Sequence, residues 1–148
     1  VGFCVKPGKA WYIPCNGKLG KEKVVHALKE FFLETKGSFY GHNLKYDLHI
    51  LWKLGIEIPR ISFDTILASY LLDPQNRRHN LDELALTKCQ KTKIPIESLI
   101  GKGKKQTSLW DAPIEKVKDY CGEDVDYTCR IKKIFEKELK ESDLLSVF

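Results

Sequence analysis

The chain has 148 residues, of which 43% are hydrophobic and 30% charged, a balance that suits a single domain spanning residues 1–148. No stretch approaches the roughly 20 consecutive apolar residues of a membrane span, and Val1–Val5 is too short for a signal peptide, so a cytoplasmic location without membrane contact is expected. Five cysteines, an odd number with no C-x-x-C pair, argue against a disulfide framework or a zinc cluster and are expected to be free, packing thiols.

Val1–Val5 and Ala10–Pro14 are apolar runs joined by Lys6-Pro7-Gly8-Lys9, which predicts a β-hairpin. Lys21–Thr35 carries Val24, Val25, Leu28, Phe31 and Phe32 at helical spacing and reads as an amphipathic helix. A short strand is expected over Ser38–His42. Asn43 then serves as N-cap for a helix from Leu44 to about Leu54, with Leu48, Leu51, Trp52 and Leu54 on its apolar face. Ile61–Phe63 reads as a buried strand, Asp64 or Thr65 opens a helix through Leu72, and Leu81–Lys88 is a further helix. Gly101-Lys102-Gly103-Lys104-Lys105 is a loop by composition. Asp111 is placed to cap a long helix that begins at Pro113 and runs to about Leu139. Strands interleaved with helices make an α/β domain.

The net charge of +5 is unevenly distributed. Residues 77–105 hold eight Lys or Arg against three acids, which accounts for the whole excess and suggests a polyanionic partner, nucleic acid first. The chain also lacks methionine, even at position 1, so it is expected to begin inside a longer protein.

Two polar pairs carry the chemistry. In Asn43-Leu44-Lys45-Tyr46-Asp47 and Tyr120-Cys121-Gly122-Glu123-Asp124, helical spacing puts the first and last residues of each segment on one face. Phosphodiester hydrolysis needs an activated water and neutralised charge on the leaving oxygen, which paired divalent ions held by carboxylates supply. Magnesium prefers oxygen donors, so Asp47 and Asp124 are candidate metal ligands and Tyr120 a candidate for orienting the attacking water. Asp64 suits a helix cap better than a ligand. Glu123 and Asp126 point around the helix from Asp124 toward structural or solvated roles, and His42, His49 and His79 are assigned none. Tyr46 and Trp110 could stack on bases, although each reads first as a core residue.

Gly41 through Asp47, Phe63 through Leu72, Gly101-Lys102-Gly103-Lys104 and Tyr120 through Asp124 together resemble the 3′→5′ exonuclease domain of bacterial DNA polymerase I, in the same order and nearly end to end. That resemblance implies a DEDD-type exonuclease of the tyrosine subclass on a ribonuclease-H-like three-layer fold, with a mixed central sheet flanked by helices. It implies Asp47 and Asp124 as ligands of Mg2+ or Mn2+ in a two-metal site, with Tyr120 orienting water. It further implies Asn43 and Tyr46 along the groove for a single-stranded DNA 3′ end, Arg78, Lys102 and Lys104 on the DNA backbone, and a polymerase domain C-terminal in the parent chain. The family's Asp-x-Glu motif, and the first strand that bears it, would lie a dozen or so residues before Val1 and are not contained in these 148 residues. The isolated fragment is therefore expected to be weakly active or inactive. Three other readings remain at this point: a degenerate, non-catalytic domain, a DNA-binding module, and an RNA 3′ exonuclease of the ribonuclease D type.

Overall fold

The computed structural model describes residues 1–148, except for the side chain of Lys105. Strand β1 (Gly2–Lys6) pairs antiparallel with β2 (Lys9–Tyr12), Gly2 opposite Tyr12. Their two-residue turn works because Pro7 restricts its own φ and Gly8 adopts φ 81°, where a side chain would be strained. Helix α1 (Lys21–Glu34) follows, with Val24, Leu28 and Phe32 buried at four-residue intervals. They pack with Ile56 and the partly buried Phe3, Phe39 and Leu51 as one hydrophobic cluster.

Strand β3 (Phe39–Gly41) leads into α2 (Leu44–Lys53), and β4 (Ile61–Asp64) into α3 (Thr65–Leu72). β3 and β4 pair in parallel, so both helices start from the same end of this small sheet. After α4 (Leu81–Cys89) comes one turn of helix that the sequence did not announce, α5 (Glu97–Ile100). Within the expected loop, Gly103–Lys105 forms a 3-10 turn. The long helix α6 (Ile114–Glu141) lies against β1, β2, α3 and α4. Its Ile131, Phe135 and Leu139 join Phe63, Ala68 and Leu84 in the second core cluster.

The strands form two separate two-stranded sheets where one mixed central sheet was expected. A side chain links them: the Tyr40 hydroxyl donates to the Cys4 carbonyl at 3.1 Å.

Two helix caps differ from expectation. Asn43 is left-handed at φ 60°, and its side chain makes no cap hydrogen bond. Asp111 does not cap α6, whose N-cap position is Pro113. Three aromatic side chains expected inside are exposed: Tyr46 (68%), Trp52 (66%) and Trp110 (56%). α2 buries only Leu44, because its outer face meets no other element. Trp110 sits in a turn held by its own carbonyl, which accepts from Asn16 Nδ2 at 2.9 Å, so its ring is left outside. Of the cysteines only Cys129 is fully buried, and all five are free thiols.

Candidate active site

Asp64 sets the geometry of the second motif. Its carboxylate accepts backbone N–H bonds from Ile66 at 3.0 Å, Asn43 at 3.0 Å and Leu44 at 2.8 Å. One buried side chain thus caps α3 and also binds the first turn of α2, the work expected of Asn43. With its side chain released from capping, Asn43 is exposed beside Tyr46 at the start of the helix. The close approach of Gly41 completes the corner: a Cβ there would fall 2.4 Å from a methyl carbon of the buried Leu44.

Asp47 lies in the first turn of α2. One side of the residue is open to solvent, yet burial of its carboxyl raises the pKa, and the negative charge of Asp64 adds to the rise. Nearby, His42 bonds Thr65 Oγ1 at 2.9 Å, and burial holds its imidazole below the ordinary pKa against the pull of Asp64. A neutral, internally bonded ring fits the exclusion of His42 from the candidate site.

The third motif occupies one stripe of α6. Burial, with the nearby charge of Asp124, pushes the Tyr120 phenol up to about 12. It is therefore protonated at neutral pH and available as a donor. Burial also raises the pKa of Asp124, while Lys93 works in the other direction. Burial raises the Cys121 thiol, and the charges of Asp124 and Asp47 add to the rise. Glu123 and Asp126 have structural tasks, as expected: Glu123 accepts from the Ile94 N–H at 2.7 Å, and Asp126 from the Gly8 N–H at 2.6 Å.

Lys93 is the residue that sequence reasoning missed. Its side chain is 2% exposed, and its ammonium forms an ion pair with the buried Oδ1 of Asp124, an oxygen without any hydrogen bond of ordinary geometry. The same ammonium lies 3.1 Å from Asp82 Oδ1 and 5.0 Å from the centre of the Tyr120 ring. Burial works against its charge, but the two carboxylates prevail and hold its pKa above the ordinary lysine value. Nothing local in Lys91-Thr92-Lys93-Ile94-Pro95 signals this, because the partner lies on a helix far along the chain.

Arg78, Asp82, Glu83 and Lys93 line a groove of about 350 Å³. The Arg78 guanidinium, 73% exposed, sits 3.6 Å from Glu83. Lys102 and Lys104 are exposed on and beside the 3-10 turn. Among the described residues no three His, Cys, Asp or Glu side chains converge as a metal site. Asp47 and Asp124 nevertheless offer the hard oxygen donors that suit magnesium, which is commonly held by one or two carboxylates with water and substrate phosphate completing its shell.

Residues 3–140 match a sequence family described as 3′-5′ exonuclease. DNA polymerase I of Pseudomonas aeruginosa is 33% identical over 149 residues, covering 95% of the chain and 16% of that protein. The Chloroflexus aurantiacus polymerase I is 30% identical across 98% of the chain and 16% of its own length. The chain thus spans about one sixth of these relatives. Among solved structures, Brucella melitensis NrnC bound to pGG superposes with a TM-score of 0.63 at 22% identity, over 93% of this chain and 61% of that one. The same protein with bound Mg2+ gives 0.61 at 18% identity, over 79% and 54%. These likenesses support the ribonuclease-H-like α/β fold. The chain belongs to the 3′-5′ exonuclease family.

Proposed function

We propose that this domain removes nucleotides from a single-stranded DNA 3′ end by metal-dependent phosphodiester hydrolysis, within a chain that also carries a polymerase domain. What supports this reading is the placement of Tyr120 and Asp124 one turn apart on α6, with Asp47 in the first turn of α2, in a chain whose residues 3–140 match the 3′-5′ exonuclease family. Mg2+ or Mn2+ held by Asp47 and Asp124 would supply an activated water and neutralise charge on the leaving oxygen. Tyr120 donates its proton to a hydrogen bond that orients the nucleophile, and its high pKa keeps it a donor throughout the neutral range. The exposed Asn43 and Tyr46 flank the start of α2, where the terminal nucleotides lie against a flat ring. Arg78, Lys102 and Lys104 contact phosphates without reading bases.

The test uses the full-length protein, a 5′-labelled single-stranded DNA and Mg2+. A ladder shortened one nucleotide at a time from the 3′ end, releasing 5′-monophosphates, is the expected outcome. Chelation should stop it and added Mn2+ restore it. Asp124→Ala should lower the rate by at least about 10³-fold while the circular dichroism spectrum is unchanged, the scale expected when a group that stabilises transition-state charge is lost. Residual turnover near the wild-type rate in that variant would contradict the assignment. A second reading, a nuclease for short oligoribonucleotides, draws on the likeness to the NrnC structure bound to pGG. A diribonucleotide cleaved faster than DNA in the same assay would favour it.

A further inference from the structure

Lys93 is out of place for a basic residue of a nucleic-acid enzyme. Its side chain is 2% exposed, and it is directed at a carboxylate of the site, away from any phosphate in solvent. Its position is also built. The Ile94 N–H donates to Glu123 at 2.7 Å, one residue before Asp124 on α6, so the strand-like connector is clamped where the lysine must land. Asp82, 70% exposed, offers the same ammonium a second carboxylate at 3.1 Å. The Tyr120 ring, 5.0 Å away, gives it a third favourable surface.

We infer that Lys93 is a resident counter-cation of Asp124, which a divalent ion must displace toward Asp82 before it can bind. This rests on the reading of Asp124 as a metal ligand. Two cations cannot share one buried carboxylate oxygen without strong repulsion, so the lysine and the metal compete for it. In the absence of metal the pair neutralises a carboxylate that would otherwise be buried and unpaired. On metal arrival, Asp82 keeps the displaced ammonium paired at the groove wall beside Arg78. The domain therefore holds its metal weakly until substrate phosphates complete the shell, and metal occupancy becomes conditional on a bound 3′ end.

The experiment measures Mn2+ affinity by electron paramagnetic resonance in full-length protein at one fixed pH, without nucleic acid. Lys93→Met keeps the length of the apolar stem and removes the charge. It should tighten Mn2+ binding on the order of tenfold, within the usual range of coupling between two ligands. Asp82→Asn is an exposed change that leaves the fold intact even if Lys93→Met does not fold. Deprived of its alternative partner, Lys93 should stay on Asp124 and weaken Mn2+ binding about threefold, the worth of one exposed ion pair. Unchanged affinity in either folded variant, or looser binding in Lys93→Met, overturns the inference. Asp124→Ala separates the two levels. If it binds Mn2+ as the unsubstituted protein does, the site reading fails; if it loses binding while Lys93→Met changes nothing, only the role of Lys93 fails.

Discussion

At the scale of single residues, the site stores unfavourable electrostatics. Burial raises the pKa of Asp47 and the charge of Asp64 raises it further, so the ionised side chain costs stability in the folded protein. A carboxyl whose folded pKa lies above its unfolded value binds more protons when folded. Its contribution is therefore most favourable in acid and declines as pH rises from the ordinary carboxylate value to the raised one. Asp47→Asn removes that decline. In thermal melts without divalent ions, the variant should be more stable than the unsubstituted protein at neutral pH, with the difference vanishing in acid. A variant less stable at neutral pH would show that Asp47 makes a favourable contact which outweighs its burial. The Tyr120 and Asp124 pair was legible in the sequence because both lie on α6 at helical spacing, whereas Asn43 stands outside α2 with a left-handed backbone and is not aligned with Asp47 in that way. Lys93 was not legible, since only the folded chain brings it to α6.

At the scale of elements, the second motif depends on a carboxylate outside it. Asp64 accepts three backbone N–H bonds, two from the start of α2 and one from α3. Asp64→Ala leaves those donors buried or half-buried without partners, at a cost of about 3 kcal/mol in chemical denaturation given the worth of bonds to a charged acceptor. Nuclease activity should fall by a larger factor than the unfolded fraction explains, because Asp47 rides on the helix that loosens. Loss of stability below about 1 kcal/mol would mean that water replaces the carboxylate. The sequence identified Asp64 as a cap but credited it with one helix, because the second set of donors arrives through the parallel pairing of β3 and β4. Asn43 was taken for the α2 cap on its residue type. Its left-handed backbone at φ 60° carries the chain round the corner, and a neighbouring strand supplies the acceptor. The exposed face of α2, with Tyr46 and Trp52 outward, likewise departs from its apolar spacing, since periodicity finds a helix but does not reveal whether anything covers it.

At the scale of the whole molecule, α6 organises the domain. Its C-terminal half supplies Ile131, Phe135 and Leu139 to the core, while its N-terminal half presents Tyr120 and Asp124 to the site. The α/β class and nearly every helix could be read from periodicity, whereas the division into two sheets could not, because strand pairing depends on segments distant in sequence. The basic excess over residues 77–105 is also smaller in effect than in number. Lys93 is buried against acids, and Lys88 is paired with Glu138 at 2.7 Å. Arg77, Lys91, Lys102 and Lys104 remain exposed.

The most direct measurement is a crystal of the full-length protein soaked in Mn2+, with anomalous differences recorded at the manganese edge. The account predicts one peak, or two peaks roughly 3.5–4 Å apart, within coordination distance of carboxylate oxygens of Asp47 and Asp124, beside the Tyr120 hydroxyl, with the Lys93 ammonium moved off Asp124. Manganese bound by neither aspartate, or peaks at the two aspartates too far apart to form one paired site, would contradict it.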